Sequence, residues 1–135
     1  MKTFPLSVLT PYGEYLKGDV EYLEVRAEHS VLGILANHQP LVSTVMISKM
    51  KVRMNGQEFY YSIGGGILYV EKDKVTLVLN SIESPEEIDI ERAKRAKDRA
   101  ENLLKKPSHE LIDVARAEAS LKRALVRIDL FDTFK

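Results

Sequence analysis

The sequence predicts a two-part β + α fold: an N-terminal antiparallel β-sandwich, or flattened barrel, over residues 1–84, then a C-terminal antiparallel two-helix hairpin over residues 85–135. Three observations carry that reading. Up to residue 82, apolar and polar side chains alternate in short runs broken by Gly, Asn and Pro, the period-two pattern of strands. From residue 86 the chain is rich in Ala, Leu, Arg, Lys and Glu at helical spacing. Between the two, Ser84, Pro85, Glu86 and Glu87 make a helix-start signature: a capping residue, a proline suited to the first helical position, and acids at the positive helix end.

Taken in order, residues 4–10 alternate and stop at the turn residues Pro11, Tyr12 and Gly13. Residues 20–27 form a second strand with its charges toward water, and 31–35 a short apolar strand followed by a loop over 36–40. Strands over 41–46 and 47–54 end at Asn55 and Gly56. Asn-Gly is a strong hairpin signal because both central positions of that turn favour positive φ, so 58–63 is the return strand. Gly64, Gly65 and Gly66 permit a sharp bulge or a close backbone approach. Residues 67–71, a turn at 72–74, and 75–80 make the last hairpin. Strands this short and frequent favour a sandwich or barrel.

The helical part spans residues 86–106 and 108–130. Ser84 and Glu87 have the spacing of a capping box. Ala93, Ala96, Ala100, Leu103 and Leu104 form a narrow stripe whose small members allow a second helix close. Pro107 breaks the first helix, Ser108 caps the second, and Leu111, Val114, Ala117, Leu121, Ala124, Leu125 and Ile128 make the facing stripe. Each helix is roughly 30 Å long, so a straightened pair reaches about 60 Å from the sandwich. Two such helices bury little by themselves and need a partner surface.

Composition excludes several classes. Net charge is zero, with eight basic and nine acidic residues through Ser84 and twelve and eleven after it, which lacks the basic excess of a nucleic-acid protein. Without cysteine there is neither a disulfide framework nor a cysteine zinc site. His29, His38 and His109 lack metal-ligand spacing, and no Ser or Thr has a His-Asp partner set for hydrolysis. The first residues lack the apolar core of a signal peptide, and no apolar run approaches the ~20 residues that span a bilayer. These features predict a soluble intracellular chain without direct membrane insertion. What chemistry remains gathers at the junction, where Glu83, Asp89, Arg92 and Arg99 suit a small anion.

Several motifs then occur in a fixed order. They are Leu-Gly-Ile-Leu over 32–35 with His38 and Pro40 after it, Ile-Gly-Gly-Gly-Ile-Leu-Tyr-Val over 63–70, Val-Thr-Leu-Val-Leu over 75–79, Glu83, and Ile-Asp-Ile-Glu-Arg-Ala over 88–93. In that order and spacing, over nearly its whole length, the chain resembles the epsilon-subunit family of rotary F-type, proton-translocating ATP synthases. The resemblance implies a non-catalytic regulator at the cytoplasmic face of the cell membrane. Its sandwich would bind the gamma subunit of the central stalk and touch the membrane rotor ring of c subunits, with Gly33, His38 and Pro40 in the ring-facing loop. Its hairpin would fold down on the sandwich or extend along the stalk to the alpha and beta subunits and block ATP hydrolysis. The resemblance further implies ATP as a regulatory ligand, bound at the motif residues Ile88, Asp89, Arg92 and Ala93 with Glu83, Arg99, Arg123 and Arg127 alongside. The motif does not specify whether Mg2+ accompanies the nucleotide. Two features depart from the family pattern: residues 35–38 read Leu-Ala-Asn-His without Pro-Gly before the histidine, and Val31 stands where an acid is common.

Helix geometry is compatible with such a site. Asp89, Arg92 and Arg99 fall within roughly 80° of one another at ~100° per residue. Arg123 and Arg127 are one turn apart, with Arg116 on much the same side. Arginine forks give bidentate, charge-assisted bonds to phosphate oxygens. No Walker-type loop is present, since Gly64–Gly66 lacks the following Lys-Ser/Thr, so binding without hydrolysis is the natural chemistry. The competing structural reading makes these charges a solvated helix face with Asp89 and Arg92 as an ordinary i, i+3 ion pair. The competing functional reading is a freestanding small-ligand-binding or scaffold module with a helical lid.

Overall fold

The computed structural model describes residues 2–106 and 111–134. Pro107, Ser108 and His109 lie outside the described residues, as does the side chain of Leu111. Eight strands make one continuous sheet: β1 (Phe4–Thr10), β2 (Gly13–Val20), β3 (Tyr22–Arg26), β4 (Val31–Ile34), β5 (Leu41–Met54), β6 (Gln57–Val70), β7 (Val75–Leu79) and β8 (Ile82–Glu83). Their order is β2-β1-β7-β6-β5-β3-β4, with β8 also on β6. Pairing is antiparallel except between β1 and β7, which run parallel.

The Asn55-Gly56 turn has φ of 53° and 76°, the positive pair that the sequence requires. On either side of it β5 and β6 run unbroken for 14 residues each, where the sequence suggested pairs of shorter strands. Each long strand serves both layers of the sandwich. Near the turn β5 carries β3, and at the far end β6 carries β7. The change of layer falls at the three glycines. Gly65 has φ of 86°, its carbonyl accepts the Asn80 N–H at 2.9 Å, and a Cβ on Gly66 would strike the Val78 carbonyl oxygen. Strand β2 was not anticipated, because its edge position leaves half of its residues exposed and the alternation faint. The core between the layers includes Leu6, Val8, Leu23, Ile34, Met50, Ile63, Leu68 and Leu77, all fully buried.

After β8, Pro85–Glu87 form one 3-10 turn, and the backbone of Ile88 is extended at φ −75° and ψ 123°. Helix α1 (Ile90–Leu104) therefore starts at Ile90 rather than at residue 86, and Asp89, not Ser84, is its cap. Helix α2 (Leu111–Phe134) continues past residue 130. The helices pack antiparallel through small residues: Ala93 and Ala100 of α1 and Ala117 and Ala124 of α2 are buried. Leu103 and Leu125, predicted in the stripes, are instead 42% and 45% exposed, because alanine-on-alanine contact leaves no room for them between the helices. The end of α2 rests on β5 and β6. There Leu130 is fully buried, Lys49 pairs with Asp129 at 2.7 Å, and Phe134 stacks on Tyr60 with centroids 4.6 Å apart. Among the described residues no helix is long and apolar enough to cross a membrane.

Candidate functional site

Four elements meet where the sandwich hands over to the hairpin. Strand β8 supplies Glu83, the 3-10 turn Glu87, and the α1 cap Asp89. The first turns of α1 add Arg92, Ala93, Ala96 and Arg99, and α2 faces them with Ser120, Arg123 and Arg127. Together these line an open cavity of about 410 Å3.

All three carboxylates of the cavity are already engaged. Glu83 forms an ion pair with Arg127, both partners being about a quarter exposed. Asp89 accepts the Arg92 backbone N–H at 3.1 Å, so its side chain caps the helix instead of pairing with the Arg92 guanidinium. Glu87 accepts the Ser84 N–H at 2.9 Å and the hydroxyl of Tyr15, which reaches across from β2. Burial pushes the Glu87 carboxyl up, but the bonds from Tyr15 and Ser84 outweigh it and hold the group below the usual glutamate range. Burial and that same anionic acceptor push the Tyr15 hydroxyl well above the usual tyrosine range.

The arginines are in the opposite condition. Only Arg127 has a carboxylate within 4.0 Å; Arg92, Arg99 and Arg123 have none among the described residues. Arg123 donates to the Ser120 hydroxyl at 3.2 Å. The cavity thus presents three guanidiniums with no counter-ion among the described residues, a donor set matched to a polyanion.

Of the residues expected from sequence, Glu83, Asp89, Arg92, Ala93, Arg99, Arg123 and Arg127 line this one cavity. Ile88 does not; it is 6% exposed and buried at the turn. Arg116 opens into a neighbouring space of about 510 Å3 further along the hairpin, which shares Ala96, Arg99 and Ser120 with the first. Sequence reasoning missed Ser120, Glu87 and Tyr15. Ser120 sits one turn before Arg123, so helical spacing contained the signal. Glu87 was assigned only to the cap, and no local pattern links it to Tyr15.

Gly33, His38 and Pro40, expected together in a ring-facing loop at the rim of the sandwich, share no wall with this cavity, and Gly33 is in a strand rather than a loop. Gly33 is in β4, where a Cβ would press on the Tyr22 hydroxyl at 2.7 Å. The His38 Nδ1–H donates to the Gln39 carbonyl at 2.7 Å, and Pro40 is exposed just before β5.

Comparison with known proteins agrees with this architecture. Residues 3–85 match the family model of the ATP synthase Delta/Epsilon chain beta-sandwich domain, and residues 86–131 that of its long alpha-helix domain. The ATP synthase epsilon chain of Bacillus cytotoxicus is 42% identical over 131 residues, covering 96% of this chain and 97% of the relative. That of Caldanaerobacter subterraneus subsp. tengcongensis is 40% identical over 135 residues, covering 99% and 97%. Among solved structures, a chain of the Euglena gracilis mitochondrial ATP synthase (OSCP/F1/c-ring) superposes with a TM-score of 0.81 at 21% identity, covering 94% of this chain and 79% of that one. A chain of the Tetrahymena thermophila mitochondrial ATP synthase central stalk and c-ring gives 0.66 at 15% identity, covering 98% and 96%. At those identities the likeness is one of fold. On the family models and the full-length bacterial relatives, the chain belongs to the ATP synthase epsilon-chain family and is a non-catalytic subunit of that complex.

Proposed function

We propose that this subunit senses ATP through its hairpin and, through that sensing, controls hydrolysis by the complex it joins. The observation that carries the reading is the junction cavity, in which three guanidiniums have no counter-ion among the described residues and every carboxylate is already engaged, Glu83 with Arg127 of the same wall. The phosphates of ATP take Arg92, Arg99, Arg123 and Arg127. The adenine lies toward Asp89 and Ala93, over the buried Ile88. Nothing in the wall is a Walker-type loop, and the nucleotide acts as a ligand rather than a substrate. The arginines come from both helices, so an extended hairpin disperses them, and ATP favours the compact state by the ratio of its two affinities. A dissociation constant between millimolar and micromolar corresponds to about 4 to 8 kcal/mol, enough to tip a hairpin poised within a few kcal/mol.

The assembly follows from the sandwich. Val42, Ile67, Tyr69 and Val78 are between 37% and 69% exposed and adjacent across β5, β6 and β7, an apolar patch suited to the gamma subunit. The rim with Gly33, His38 and Pro40 faces the rotor ring of c subunits, and the subunit sits peripherally at the cytoplasmic face of the membrane. In the extended state the hairpin reaches the alpha and beta subunits and stops ATP hydrolysis.

Calorimetric titration of the full chain with ATP tests the ligand. Loss of one phosphate-binding arginine costs on the order of 1.5–3 kcal/mol, so Arg92→Ala should weaken binding at least tenfold while the sandwich keeps its circular dichroism. Unaltered affinity in Arg92→Ala and Arg123→Ala would return these side chains to a solvated helix face.

A further inference from the structure

We propose that Tyr15, on the edge strand of the sandwich, is a positioning residue for the nucleotide cavity: its hydroxyl holds the Glu87 carboxylate on the sandwich side and keeps it off the arginines. The inference rests on the nucleotide reading above and adds to it a residue outside the hairpin.

Glu87 belongs to the cavity wall, together with Arg92, Arg99, Arg123 and Arg127. It is a long, exposed side chain on a single 3-10 turn, and nothing in its own backbone dictates where the carboxylate points. Two donors decide that. The Ser84 N–H and the Tyr15 hydroxyl converge on the same oxygen, Oε1, from the sandwich side. Tyr15 is itself held edge-on against Tyr61 of β6, with centroids 6.0 Å apart and rings at 88°, so its hydroxyl is aimed by the sandwich rather than by the hairpin.

Release of Glu87 changes the electrostatics of the cavity. One carboxylate, Glu83, already neutralises Arg127. A freed Glu87 would become a second internal anion, competing with phosphate for the N–H groups of Arg92, Arg99 or Arg123. An internal carboxylate on a short tether has a high effective concentration and needs no strong bond to compete. Because the cavity is open to solvent, the competing pair is worth that of an exposed ion pair, which sets the effect at about two- to fivefold in affinity.

The test is calorimetry of the full chain with ATP. Tyr15→Phe keeps the ring and its contact with Tyr61 and removes only the donor. Its dissociation constant for ATP should rise about two- to fivefold, and adding Glu87→Gln to the same chain should recover most of that loss, because a neutral amide does not compete with phosphate. A merely structural role for Tyr15 predicts no recovery, since the second substitution does not restore the lost bond. Wild-type affinity in Tyr15→Phe overturns the proposal, as does a double variant that binds no more tightly than Tyr15→Phe. Weakened binding in Glu87→Gln alone overturns it too, by making Glu87 a ligand group. A wild-type chain that gives no heat with ATP overturns the nucleotide reading itself, whereas a binding wild type with an indifferent Tyr15→Phe overturns only the clamp.

Discussion

Leu130 is the place to unlatch the hairpin. It is fully buried where α2 rests on β5 and β6, between the Arg127–Glu83 pair and the Phe134–Tyr60 stack. Leu130→Ala removes most of an apolar side chain, and buried Leu→Ala changes cost about 2–5 kcal/mol. The lower end applies here, because α2 can lift away instead of enclosing a cavity; the transfer contribution alone is about 2 kcal/mol. Leu130 is not a member of the sandwich core cluster, so the loss falls on the compact hairpin. A loss of about 2 kcal/mol raises the ratio of open to compact chains about thirtyfold. The chain has no cysteine, so Lys17→Cys on β2 and Lys122→Cys on α2, both exposed, accept a dye pair for energy transfer. Transfer should fall in Leu130→Ala, recover with saturating ATP, and be accompanied by a higher apparent dissociation constant, in proportion to the compact fraction lost. Unchanged transfer and unchanged ATP affinity would refute the latch. Loss of sandwich structure at the same urea concentration as hairpin release would refute the separation of the two.

Three further outcomes follow from the same contacts. A chain ending after Ser84 should fold and assemble with gamma while relieving inhibition; one ending after Ile88 should do so with higher resistance to urea, because it keeps the buried Ile88 and the Glu87–Tyr15 bond. A truncated chain that is unfolded by circular dichroism would sink the two-module reading. Alanine at Arg116 and Lys122 together, which leaves the junction cavity's own arginines in place, should weaken inhibition of ATP hydrolysis in the assembled complex, by removing charge from the extended hairpin; unchanged hydrolysis removes that electrostatic account. The Tyr15–Glu87 bond needs an ionised carboxylate and a protonated phenol. The depressed Glu87 contributes stability above the ordinary glutamate range and loses it as pH falls further, while the raised Tyr15 contributes below about pH 10 and loses it as pH climbs past its shifted value. Urea unfolding of wild type against Glu87→Gln should therefore differ by a constant amount between about pH 5 and 9, with the gap shrinking as pH falls below the ordinary glutamate range; a gap undiminished in acid refutes this.

Local rules carried much of the structure. The Asn55-Gly56 turn, the close approach at the glycine run and the alanine seam of the hairpin each follow from one residue type meeting one steric demand. The junction arginines were legible because helical spacing places them on one flank. What was not legible depends on contacts between distant segments. Whether β5 is one strand or two is decided by its partners β6 and β3, and Leu130 is buried by the sandwich rather than by the helix stripe. Asp89 illustrates a finer limit: at i, i+3 from Arg92, a cap and an ion pair have the same spacing, and only the extended backbone at Asp89 itself selects the cap.

The parallel pairing of β1 with β7 also sets a timetable for biosynthesis. Leu6 lies beside Val75 and Leu9 beside Val78, so the first strand made waits for almost the last of the sandwich. On the ribosome β3, β4, β5 and β6 can join as they emerge, whereas the β1–β2 hairpin has no other neighbour in the sheet and keeps an open edge until residues 75–78 appear. Closing so long a loop is slow in proportion to its entropy, and an unpaired edge invites association with other chains while it lasts. Glu83, Glu87 and Asp89 are translated directly after β7. The junction cavity is thus the last part of the chain to be made, after the strand that closes the sheet over β1 has left the ribosome.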